Sequence, residues 1–127
     1  MRRATRRVRP EDLRELLAAP PRANLVFRRG DEVDALPVAF RLDGGRYCVG
    51  VPRRGEGAVV EPGETVKLLI DDGTWFFDLR GVWVRGRTVP ADPRPAGAPA
   101  SLVWYEITPD RTAAWDYGTL RTVTGGR

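Results

Sequence analysis

Residues 65–89, TVKLLIDDGTWFFDLRGVWVRGRTV, decide the fold. Val66, Leu68 and Ile70 alternate with Lys67, Leu69 and Asp71, a period of two that sends successive side chains to opposite faces of a strand. Asp72-Gly73 follows, and Asp-Gly between apolar runs predicts a hairpin turn because glycine reaches positive φ without a Cβ clash. A return strand is expected to start Trp75, Phe77, Leu79. Past Gly81 the alternation resumes one position out of phase at Val82 and Val84, which predicts a β-bulge at Arg80-Gly81. A strand running from Trp75 to Val89 is far longer than the usual ~5 to 6 residues, and only a coiled, bent sheet keeps it covered. The stretch therefore predicts a barrel.

Outward from this hairpin, further strands are expected at residues 23–28, 33–41, 46–51 and 101–107, joined by turns at Arg29-Gly30-Asp31-Glu32 and Asp43-Gly44-Gly45. Pro37 has no N–H for a ladder and calls for an edge or a bulge. Tyr47, Val49 and Val51 share one face of their strand, whereas the other face holds only Cys48 and Gly50. A face without bulk admits either a second backbone or a flat ligand at close range. Pro10-Glu11-Asp12 opens a short helix with Leu13, Leu16 and Leu17 on one side, ended before Pro20-Pro21. Thr108-Pro109 and Gly118 bracket a second predicted helix carrying Trp115 and Tyr117. Residues 52–64, PRRGEGAVVEPGE, read as a loop with at most one helical turn near 58–60, and residues 90–100, with four prolines, as an irregular connection. The expected fold is mainly β: a six-stranded antiparallel barrel with short flanking helices.

Composition narrows the chemistry. A chain of 127 residues is one domain, able to bury a core without staples. The net charge is +4, yet five arginines stand among the first nine residues with no acid, so the remainder sums to −1. Residues 1–9 thus form a basic tail ahead of a domain over 10–127, and a nucleic-acid role is not expected of the folded part. No apolar run approaches the ~20 residues of a membrane span, and no apolar segment follows the paired arginines, which predicts a cytoplasmic protein. Cys48 is the sole cysteine and histidine is absent, which removes intrachain disulfides, His-based triads and Cys/His zinc sites. Asp71-Asp72 is accounted for by its turn, so no metal is expected. Arg53 and Arg54, beside Gly55 and Gly57, suit a phosphate through bidentate guanidinium contacts and free backbone N–H groups; a solvated charge pair is the plainer reading.

Taken together, RGVWVRGRTV, LVWYEITPDRTAAWDYGTLR and VDALPVAFRLDGGRYCVGV, in that family's order of segments, resemble the pyridoxamine 5′-phosphate oxidase-like split barrels over most of residues 23–120. The resemblance implies a homodimer that holds FMN or a deazaflavin at the subunit interface for oxidoreductase chemistry. It places Arg53 and Arg54 on the cofactor phosphate, Pro37, Val49, Gly50 and Val51 against the ring, and Trp115 over the cleft. The alternative for Trp115 is a contact between helix and barrel core. Typical relatives carry Thr, then Ser and Lys or Arg opening a helix after the third strand; here Pro52-Arg53-Arg54-Gly55 stands instead. A non-enzymatic relative with a degenerate cofactor site is therefore the second reading, and a nucleic-acid or other anionic partner held by the Arg-rich tail the third.

Overall fold

A computed structural model describes residues 10–18, 22–54, 57–58, 60–74 and 79–116. Among these residues one helix, α1 (Pro10–Ala18), precedes eight strands: β1 (Arg22–Arg29), β2 (Glu32–Pro37), β3 (Ala39–Asp43), β4 (Arg46–Arg54), β5 (Gly57–Ala58), β6 (Thr65–Asp72), β7 (Arg80–Pro90) and β8 (Leu102–Asp116). The order across the sheet is β2-β1-β6-β7-β8-β4-β3, with β5 paired to β4, and every pairing is antiparallel. The edge strands β2 and β3 are consecutive in the chain and separated only by Val38. One extended segment thus pairs with β1 on one side and then β4 on the other, so the sheet curls into a split barrel. Pro37 ends the first half and Val38 donates its N–H to the Ala23 carbonyl at 2.9 Å, tying the crossing point to β1.

The alternation expected in the opening stretch is present. Val66, Leu68 and Ile70 face the core with Leu25, Val84 and Ile107, all at or below 2% exposure. Helix α1 closes one side with Leu16 and Leu17. Glu15 accepts from Arg80 at 2.5 Å while Asp72 holds the same guanidinium at 3.0 Å, so the helix is fastened to the β6–β7 ladder.

Several expectations need correction. Gly73 does take positive φ (98°), and Asp72 pairs with Arg80, where the described part of the return strand begins. Trp75 and Phe77 lie outside the described residues. No bulge stands at Arg80-Gly81, because the β6–β7 register is regular from Asp72↔Arg80 to Thr65↔Arg87. The irregularity lies at Arg85/Gly86, where β8 inserts Asp110 between Arg111 and Pro109. The second helix is absent, since TPDRTAAWD continues β8 to its end. Eleven register pairs with β7 outweigh a favourable N-cap and two alanines, and Pro109, lacking an N–H, sits beside the bulge where ladder bonding is already interrupted. The strand expected over 33–41 is split at Val38, and Gly57–Ala58 is a short strand rather than the start of a helical turn, so six expected strands become eight.

Candidate functional site

The candidate residues fall on both faces and both ends of the sheet. Strand β4 carries four of them. Val49 and Val51 have no exposed surface and point into the core. Gly50 faces outward, opposite Trp104 on β8. A Cβ there would stand 2.7 Å from Trp104 Cζ2 and 2.8 Å from Leu102 Cδ1, so the face that looked empty is filled by indole. Trp104 is fixed in turn, with 4% exposure and Nε1 donating to the Pro99 carbonyl at 2.9 Å. Ala91 and Ala98 of the proline-rich connection pack on the same cluster, and Ala91 donates its N–H to the Trp104 carbonyl at 3.1 Å. Arg46 extends this fastening by donating to the Pro93 carbonyl at 3.0 Å and to Asp43 at 2.7 Å. Both faces of β4 between Cys48 and Val51 are therefore covered by the chain itself.

Beyond Val51 the strand emerges. Arg53 is exposed and pairs with Ala58, and Arg54 pairs with Gly57, so the β4–β5 ladder sets the backbone direction of the arginine pair. The Arg54 side chain and residues 55–56 lie outside the described residues. Pro37 is exposed at the crossing point, two residues before Ala39, which pairs with Gly50. Pro37 and the outgoing end of β4 thus share one region of the barrel. Trp115 does not. It pairs with Gly81 near the far end of β8, thirteen residues from Leu102, which pairs with Pro52. At ~3.3 Å per residue that is roughly 40 Å along the strand. Its indole lies on Gly81, where a Cβ would fall 2.6 Å from Trp115 Cη2, and the outward face of the strand remains half-exposed.

No described group is poised for covalent chemistry. Cys48 is fully buried; burial pushes its thiol up, Arg46 pulls the other way, and Glu106 and Asp43 add to the rise. The phenol of Tyr105 is likewise pushed up by burial, reinforced by Glu61 and Glu64, and it donates to the Val60 carbonyl. This bond tethers the 60–64 segment to the core. No trio of metal-binding side chains occurs among the described residues, and no described helix is long and apolar enough to cross a membrane.

The sequence reading missed a band on the outer face of β6, β7 and β8. Lys67 pairs with Arg85, and Arg85 with Arg111. One row along, Leu69 pairs with Trp83 and Trp83 with Ala113. Lys67 Nζ lies 4.3 Å and Arg111 Cζ 5.9 Å from the Trp83 ring centre. Alternation did mark Lys67, Trp83 and Arg85 as outward-facing; only the register brings Arg111 beside them.

No protein-family model and no curated protein matches the chain in sequence. Solved structures do match in shape. A conserved hypothetical protein from Mycobacterium tuberculosis superposes with a TM-score of 0.70 at 17% identity, covering 94% of this chain and 92% of that one. An FAD binding protein from Mycobacterium smegmatis gives 0.66 at 13% identity, covering 84% and 95%. A candidate pyridoxamine 5′-phosphate oxidase from Corynebacterium glutamicum gives 0.60 at 17% identity, covering 90% and 94%. The chain therefore has the antiparallel split β-barrel that these three proteins share, the fold its segments resemble.

Proposed function

We propose that this chain binds a flavin-type cofactor, FMN or a deazaflavin, as a homodimer and serves as an oxidoreductase. The observation that carries the reading is the fold shared over most of both chains with an FAD binding protein and a candidate pyridoxamine 5′-phosphate oxidase. The absence of a described nucleophile agrees with it, because in such proteins the cofactor supplies hydride chemistry and the protein supplies binding and orientation.

The residues fit the cofactor unevenly. Arg53, exposed on a strand end whose direction is set by β5, suits the phosphate together with Arg54. Pro37, exposed in the same region, suits the edge of the ring. Val49 and Val51 present only backbone toward a ligand, since their side chains fill the core, and Gly50 lies beneath Trp104. Trp115 is too far along β8 to join Arg53 around one molecule within a chain, and it would reach the cofactor from the second subunit. Leu69 and Trp115 are half-exposed on the outer face, in the rows beyond Lys67–Arg85–Arg111, and a second copy would cover them. Trp104 is consumed within the chain.

The test is direct. Purified protein is incubated with FMN or the deazaflavin, freed of excess ligand and examined by visible spectrum and sedimentation; a retained chromophore on a dimer is expected. Arg53→Ala with Arg54→Ala should weaken a phosphorylated flavin roughly a hundredfold while riboflavin is little changed, as two charge-assisted hydrogen bonds contribute about 1.5 to 3 kcal/mol each. Equal binding by wild type and the double variant would remove the phosphate site from this strand end. The Trp104 cover over Gly50 favours the second reading, a split barrel that uses another ligand, and failure of wild type to retain either cofactor would support it.

A further inference from the structure

We infer that the outer face of β6, β7 and β8 is an anion site for a compact oligophosphate group, distinct from the Arg53 end of β4. The inference does not rest on the flavin reading. Its core is the row Lys67↔Arg85↔Arg111, three cations directly opposite one another on neighbouring strands. All three point away from the core, because Val66, Leu68 and Val84 beside them are buried. Like charges placed this way oppose sheet formation. Asp110, the residue inserted by the β8 bulge, accepts from Arg85 Nε at 2.9 Å. Among the described residues Lys67 and Arg111 form no ion pair; each lies over the Trp83 ring instead.

The surface beside this row is apolar. A shallow depression there is lined by Val26, Phe27, Val33, Thr65 and Val66 and by the aliphatic parts of Arg28, Lys67 and Arg85, and no carboxylate lines it. Val33 is 69% exposed there, which gives the depression an apolar rim. Arg87 stands exposed in the next row, opposite Thr65. Three cations side by side, with Asp110 their one carboxylate partner among the described residues, suit phosphate oxygens, which each accept several charge-assisted bonds. The extent of the patch selects the ligand. Neighbouring strands lie ~4.8 Å apart, so the charged row spans about 10 Å, and beyond it the face turns apolar at Leu69, Trp83 and Ala113. A di- or triphosphate fits that span, whereas a nucleic-acid strand needs a longer charged track.

The probe is sodium tripolyphosphate, titrated into the full chain by calorimetry and by Trp fluorescence at two salt concentrations. Saturable binding is expected, weakened at least tenfold by Lys67→Gln with Arg111→Gln. The Lys67/Arg111 variant should melt no lower than wild type, since removing opposed charges relieves the sheet; this separates lost binding from lost folding. No saturable binding, or equal binding by wild type and the Lys67/Arg111 variant, overturns the inference. So does loss of binding in the Arg53/Arg54 variant, which would place the phosphate at the end of β4. A twelve-nucleotide single strand that binds more tightly than tripolyphosphate, with the same dependence on Lys67 and Arg111, overturns the oligophosphate assignment in favour of nucleic acid.

Discussion

Replacing Gly50 by alanine tests whether this position is a packing device or an open platform. Gly50 has no positive φ, so alanine meets no backbone objection, and the change alone would favour folding by about 0.5 to 1 kcal/mol through the unfolded chain. Packing opposes it. The new methyl would lie 2.7 Å from Trp104 Cζ2 and 2.9 Å from Cε2, well inside contact distance. The indole has little room to withdraw, being 4% exposed and held by its bond to the Pro99 carbonyl. Overpacking of this kind costs about 1 to 3 kcal/mol, and breaking the indole bond adds about 1 kcal/mol. The net expectation is a loss of ~2 kcal/mol, or roughly 8 °C in melting temperature at about 4 °C per kcal/mol for a domain of this size. Circular dichroism melts would measure it. Adding Trp104→Leu should recover part of the Gly50→Ala loss, because the clashing ring is gone, giving a coupling of about 1 kcal/mol between neighbours in contact. Gly50→Ala at or above wild-type stability, or strictly additive effects, would refute the packing argument and reopen that face to a ligand.

Tyr105→Phe should cost about 1 to 3 kcal/mol by leaving the buried Val60 carbonyl without its donor. Because burial raises the Tyr105 pKa in the folded state, its contribution is fully present below the unfolded value of about 10 and is lost as pH rises beyond it; urea midpoints at pH 8 and pH 10.5 should converge more closely in the phenylalanine variant. Arg80→Ala should speed amide exchange in α1 before it affects the β1–β6 ladder, since the guanidinium links Glu15 to Asp72. Cys48, without exposed surface and with its thiol pushed up, should react with an aromatic disulfide reagent only as fast as the protein unfolds; rapid labelling of the native state would contradict its placement.

Much of the barrel was legible because its core obeys a period of two. Leu68, Ile70, Val49 and Val84 were all placed by alternation, and the glycine turns at Gly30 and Gly44-Gly45 have the positive φ that their sequences imply. The errors share one cause. Thr108-Pro109 followed by two alanines carries a genuine local helix signal, but the residues they pair with stand more than twenty positions earlier in β7. Local propensity is a weak prior against a long ladder that buries an adjoining face. The misplaced bulge has the same origin: a phase change along one strand can mark either an inserted residue or the strand's end, and only the partner's register distinguishes them.

The same limit governs the candidate site. Sequence assigns a residue to a face but not to its cross-strand neighbour, and in a sheet the neighbour determines the chemistry. Gly50 read alone is an opening; opposite Trp104 it is the floor under an indole. Lys67, Arg85 and Arg111 read along the chain are three scattered cations in a domain whose charge, apart from its tail, is close to balanced. Aligned by the β6–β7–β8 register they become one row, while Asp34 and Glu32 lie over on β2 and Glu106 lies further down β8. Net charge therefore understates what a curled sheet can concentrate. Adjacent strands bring residues distant in sequence within ~5 Å and send their side chains to the same face, so a near-neutral domain can present a strongly cationic surface on one side. The Asp110 bulge supplies a single carboxylate to that row and leaves two of its three cations to the Trp83 ring and to whatever anion the face receives.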